Sequence, residues 1–163
     1  MKVLQPLIFL MFCITACTNS NNSSTETLSD TAKTNIEPLV ETLCFLRTEG
    51  LQKQDTSYVQ LIINGNKITG IYANIPYEKD SRIGTILGTK QDNLIKGIWV
   101  YMQEGMQDTL DVEFILDNDL LLQKNYSLDT KTGMQFLSDT SAFTMNYNNI
   151  DCEKLPKRLI SHR

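Results

Sequence analysis

The chain has 163 residues, 41% of them hydrophobic and 21% charged, with 15 Lys and Arg against 19 Asp and Glu. This composition suits one globular domain with appendages and excludes a fully disordered, collagen-like or coiled-coil chain. A net charge of −4 lacks the basic footprint of a general nucleic-acid binder, so no nucleic-acid partner is expected.

The chain opens on a targeting segment. Met1 and Lys2 give a short positive start, and Val3 to Ala16 is almost wholly apolar. That run is too short to cross a ~30 Å hydrocarbon core as a helix rising ~1.5 Å per residue. It has the layout of a signal peptide, predicted over residues 1–16. Ile14-Thr15-Ala16-Cys17 resembles the lipobox of bacterial lipoproteins, whose usual form is Leu, then Ala or Ser, then Gly or Ala, then Cys. Ala16 and Cys17 match, while Ile14 and Thr15 keep only the size and polarity of the usual residues. The resemblance implies that Cys17 becomes the lipid-bearing N-terminus and holds the chain on a membrane, each buried CH₂ contributing about 0.8 kcal/mol. The alternative is a soluble secreted chain cut near Ala16.

Thr18 to Asn35 follows, with 13 of 18 residues Ser, Thr or Asn. Such a stretch has too little apolar surface to fold and is expected to act as a tether. Residues 17–38 are therefore assigned to lipid and tether, 39–153 to the folded domain, and 154–163 to a basic tail. Neither an Asp after the lipid cysteine nor an acidic cluster beside it is present. The resemblance therefore favours an outer-membrane anchor and leaves the facing side open, the periplasm being the expected side. Asp30-Thr31-Ala32 resembles an O-glycosylation site of Bacteroidetes, which implies modification of Thr31.

Four cysteines are present. Cys13 leaves with the signal and Cys17 takes the lipid. Cys44 and Cys152 flank the domain and are expected to pair in an oxidising envelope, with two free thiols as the alternative. Closing a loop of about 100 residues contributes up to ~4.7 kcal/mol in the chain-entropy model. Without a Cys-x-x-Cys or a neighbouring histidine, no metal or cofactor is expected.

The domain reads as strands separated by polar turns. Leu43–Thr48 comes first. Tyr58–Asn64 alternates and leads through Asn64-Gly65-Asn66 into Lys67–Pro76. Ile83–Lys90 and Leu94–Gln103 flank Gln91-Asp92-Asn93. Glu104 to Gln107 reads as a turn into Thr109–Leu116, where Leu110, Val112, Phe114 and Leu116 share one face. Leu120–Lys124 and Ala142–Tyr147 complete about eight strands. The short turns require antiparallel neighbours. Gly70, Gly84, Gly88 and Gly97 fall inside strands, where glycine permits a sheet to curl. The expectation is an all-β antiparallel meander closing into a small barrel or half-barrel, with a β-sandwich as the alternative. Parts of it resemble the calycin barrels, although Gly97-Ile98-Trp99 lies mid-domain and not in the first strand, where a lipocalin carries Gly-x-Trp.

No catalytic residue is proposed. The only histidine is His162, next to the end of the chain, so no Ser-His or Cys-His system can be assembled. The candidate binding surface combines aromatic and acidic residues: Tyr77, Trp99, Tyr101, Glu104, Asp108, Asp111 and Glu113. The acids fall in a stretch without Lys or Arg between Lys96 and Lys124, a pattern that suits either a solvated face or a dock for a basic partner. Alternation sets Trp99 and Tyr101 opposite Ile98, Val100 and Met102. One set faces the core and the other is left for solvent or a partner.

From Cys44 to Phe114 the order of the Gly65-Asn66 turn, Glu78-Lys79-Asp80, Gly84-Thr85-Ile86 and Glu104-Gly105 resembles small lipoproteins of Flavobacteria and related Bacteroidetes. The resemblance implies a lipoprotein with a β-rich domain and implies no activity. A binding module ranks first among the functions, holding a small apolar ligand or an envelope protein. An adaptor of an envelope complex ranks second, with a lysozyme-inhibitor-like role as a fold-level analogy. A carboxylate enzyme ranks last.

Overall fold

The computed structural model describes residues 39–160. Its strands are β1 (Val40–Glu49), β2 (Asp55–Asn64), β3 (Lys67–Ile75), β4 (Arg82–Gln91), β5 (Leu94–Gln103), β6 (Met106–Asp117), β7 (Leu120–Lys124), β8 (Tyr126–Leu128), β9 (Gln135–Leu137) and β10 (Phe143–Ile150). Eight of them close a barrel in the order β1-β10-β7-β6-β5-β4-β3-β2, and β8 pairs with β9 apart from it. Barrel strands consecutive along the chain are antiparallel neighbours, and β10 returns to β1. The fold is thus an up-and-down barrel of calycin-like architecture, and the sandwich alternative falls. Closure leaves no barrel edge with unpaired backbone.

The expected strands form with slightly longer ends. The hairpin β8–β9 is an addition, inserted between β7 and β10. The turn after β5 shortens to Glu104-Gly105, whose φ values of 50° and 79° suit the tight connection that follows strand twist. Met106 and Gln107 join β6 instead.

Alternation fills the interior. Phe45, Val59, Leu61, Ile68, Tyr72, Ile86, Ile95, Trp99, Val112, Phe114, Leu121 and Tyr147 are buried in one cluster. The glycines make room for it. Tyr72 pairs with Gly84, and Gly84 with Tyr101, so two tyrosines flank a residue without a side chain. A Cβ on Gly84 would stand 1.8 Å from the Val100 carbonyl oxygen, and one on Gly70 would stand 1.8 Å from that of Gln60. Sharp coiling here brings backbone where a side chain would stand.

The disulfide Cys44–Cys152 forms, across a sequence separation of 108. It joins β1 to a 3₁₀ turn (Cys152–Lys154) just beyond β10. The Asp151 carboxylate caps that turn by accepting from the Glu153 N–H at 3.0 Å. A short helix α1 (Lys157–Ile160) follows. The segment assigned to a basic tail is therefore part of the domain as far as the description reaches. Leu159 is buried against Ile71 and Ala73 on the outside of β3, with Tyr58, Ile75 and Ile83 around it. Leu155 is buried too, one helical turn earlier. The charges of Lys154, Lys157 and Arg158 conceal this apolar pair in the sequence.

Gly84→Ala is expected to lower unfolding stability by about 2 kcal/mol or more, as overpacking against backbone cannot relax through a rotamer. Denaturant unfolding measures it, and an unchanged midpoint would contradict the close approach.

Candidate functional site

The sidedness of β5 decides what is available for binding. Trp99 and Tyr101 point inward and are buried, so they leave the surface assigned to them. The register places Trp99 opposite Ile86 and Tyr101 opposite Gly84. The Trp99 ring lies 4.1 Å from that of Tyr72 and 4.4 Å from that of Tyr101, held between the two tyrosines that flank Gly84. Its indole N–H donates to the Tyr72 carbonyl at 3.0 Å. Phe114 and Tyr147 meet Tyr72 edge-on at 6.3 and 6.4 Å. Such pairs add about 0.5–1.5 kcal/mol beyond their burial.

Above this stack the interior turns polar. Tyr147 OH donates to Gln123 Oε1 at 2.7 Å, and Tyr72 OH donates to the same oxygen at 3.1 Å. Gln123 is fully buried, and its Nε2 has no hydrogen-bond partner among the described residues. Burial pushes the Tyr72 hydroxyl above its ordinary range, partly offset by its hydrogen bonds to Tyr147 and Gln123. Burial raises Tyr147 further, and the neighbouring Tyr72 adds to it. Neither Gln123 nor this triad was legible in the sequence, because single polar residues inside apolar strands carry no pattern.

The two barrel ends differ in chemistry. One end carries the β1–β2, β3–β4, β5–β6 and β7–β10 connections, and the other the two-residue turns after β2, β4 and β6. The turns at the second end are Gly65-Asn66, Asp92-Asn93 and Asn118-Asp119, without an apolar side chain. The first end exposes Leu51, Tyr77, Met106, Leu128, Met134 and Phe136. Its loops are tied down. Arg82 donates from Nε to Gln103 and from Nη1 to Gln135 on β9, both at 2.7 Å, and its guanidinium lies over the Tyr101 ring. The Tyr77 N–H donates to Asp55 at 2.7 Å. Tyr126 OH donates to the Asp111 carbonyl at 3.1 Å, which binds the start of β8 to β6.

Three of the expected site residues meet at this end. Tyr101, Glu104 and Asp108 line a hollow of about 290 Å³ with Gln103, Met106 and Gln107. Tyr101 OH donates to Asp108 at 3.3 Å, and Asp108 also accepts from the Thr109 N–H at 2.7 Å. Tyr77 is exposed on a different connection. Asp111 and Glu113 alternate with inward residues and lie on the outer wall of β6. Burial alone would raise the Glu113 carboxyl, but Lys96 and Lys124, each 3.1 Å away, outweigh it and hold it below the usual range. The two lysines that bracket the acidic stretch in sequence thus return to its middle, and the acids do not form one patch. Cys17 and Thr31 lie outside the described residues, as does His162.

On the outer wall, Leu87, Ile98 and Met102 are exposed. A groove of about 380 Å³ runs there between β4 and β5, lined by Ile83, Thr85, Val100 and Met102. The aliphatic set of β5 is the outward one. No family model, curated protein or solved structure matches the chain.

The raised tyrosines fix an alkaline limb of stability. The unfolded chain releases tyrosine protons near pH 10, whereas folded Tyr72 and Tyr147 hold theirs beyond it. Their contribution is intact below pH 10 and is lost as pH rises above it. Stability is expected to fall steeply above pH 10, and Tyr147→Phe should flatten that fall. An unfolding series from pH 8 to 11.5 measures it, and equal slopes for both proteins would contradict the assignment.

Proposed function

We propose that the protein is a lipid-anchored envelope protein whose barrel serves as a protein-binding module, holding a partner on its outside. The observation that carries this reading is the filled interior. Phe45, Tyr72, Trp99, Phe114 and Tyr147, with the branched aliphatics around them, occupy the space in which a wider barrel holds a ligand. Most exposed apolar side chains instead stand on the outer wall and on the loop-bearing rim, with Leu39 and Val40 at the other, and such clusters mark interaction surfaces. The resemblance of the segment ending in Cys17 to a lipobox, and the polar stretch after it, support the anchor. Because Glu113 is engaged by two lysines, the acidic hairpin offers less free charge to a basic enzyme such as lysozyme than the sequence suggests.

Native mass spectrometry tests this on the full chain, tagged at its C-terminus and released gently from its own envelope. The expected species is the lipidated chain with a second protein bound. A small added mass in place of a protein would overturn the reading in favour of a ligand carrier.

A further inference from the structure

We infer that the loop-bearing rim of the barrel is a preformed docking face for a protein that presents an apolar patch ringed by Lys and Arg. This deepens the protein-binding reading and rests on it. Exposed apolar side chains stand on three of the four connections of this rim, and Met106 flanks the fourth, the two-residue turn after β5. Leu51 stands on the β1–β2 connection, Tyr77 on β3–β4, and Leu128, Met134 and Phe136 on the β8–β9 hairpin; all are exposed. These side chains come from segments far apart in sequence, and the up-and-down topology delivers them to one end. The opposite rim exposes two, Leu39 and Val40, side by side where β1 begins. Exposed apolar side chains are more numerous on the loop-bearing rim, and such a cluster marks an interaction surface.

The charges select the partner. The four connections at this end hold Glu78, Asp80, Glu104, Asp129 and Asp139 against Lys53, Lys79 and Lys131, an excess of two acids. The flanking strand ends add Glu49, Asp55 and Asp108 against Arg82 and Arg47, the latter paired with Glu49, and the rim stays acidic on balance. A second copy docking rim to rim would set acid against acid. A surface of anionic lipid would be repelled likewise. A protein surface of apolar residues bordered by cations satisfies both terms, and complementary charge raises its rate of encounter.

The face is held before anything binds. Arg82 links the β8–β9 hairpin to β4 and β5 through Gln135 and Gln103, and Asp55 pins the β3–β4 connection at Tyr77. Loops already ordered lose less freedom on docking. Exposed Met and Tyr provide adaptable and rigid apolar area respectively.

A photocrosslinking amino acid placed singly in the full lipidated chain, in its native envelope, tests the inference. Leu51, Tyr77 and Met134 report the rim, Asn66, Asn93 and Asn118 the opposite end, and Leu87 and Ile98 the outer wall. The rim positions are expected to label one protein, identified by mass, and the opposite end none. With that protein purified, binding should weaken as salt rises. It should weaken by about tenfold or more in Leu51→Glu/Phe136→Glu and in Glu78→Lys/Asp80→Lys, with Trp99 emission unchanged as the control for folding. Labelling only from Leu87 and Ile98 would overturn the rim while leaving a binding module. Adducts of lipid alone, or of a second copy of the chain, would overturn it in favour of those occupants. No protein labelled from any position would overturn both readings.

Discussion

The structure depends on a missing side chain. Gly84 sits in register between Tyr72 and Tyr101, and its α-carbon comes so near the Val100 carbonyl that no Cβ fits. That approach lets β4 coil tightly against β5, and the two tyrosines close on Trp99 from either side. Everything else in the barrel follows from where the indole goes. With Trp99 inside, Ile98, Val100 and Met102 are forced outside. With the interior filled by rings, the proposed protein binding falls to the wall and the rims.

The polar triad on top of the stack is the second consequence. Two tyrosines cannot bury their hydroxyls in an apolar interior without partners, because an unmade hydrogen bond there costs about 1–3 kcal/mol. Gln123 accepts from both Tyr72 and Tyr147. The interior is therefore layered, apolar toward the rim of short turns and increasingly polar toward the rim of long loops, where Arg82 and the β8–β9 hairpin complete the closure. The disulfide and the buried Leu155 and Leu159 hold the chain's last described turn against the outer face of the same strands.

Much of this was legible in the sequence, for identifiable reasons. Period-two alternation and Asn-Gly, Asp-Asn and Glu-Gly turns mark the eight barrel strands, since both signals are local. The cysteine pair was legible because only Cys44 and Cys152, of the four cysteines, fall within the stretch that reads as strands. Three features were not. The direction of β5 is undetermined when both of its faces are apolar; alternation gives the period and leaves the sign to the register against Gly84. β8 and β9 are three residues each, too short to alternate. The Leu155–Leu159 pair is hidden among lysines and an arginine. The acidic stretch misled for a related reason: charge counted along the chain ignores Lys96 and Lys124, which reach Glu113 across strand pairs.

The rim is the part of the site least visible in sequence. Leu51, Tyr77, Met106, Met134 and Phe136 are apolar residues set among polar ones in loops and at strand ends, and no sequence period connects them. Only the alternating direction of the strands brings them to one end. The central claim, that the aromatic core closes inside the barrel and fills its interior, is tested most directly on Trp99, the single tryptophan of the chain. Acrylamide quenching of the native, full-length protein reads its environment. The account predicts a blue-shifted emission that resists quenching until the chain unfolds; a red-shifted emission, quenched as readily as in the unfolded chain, would contradict it.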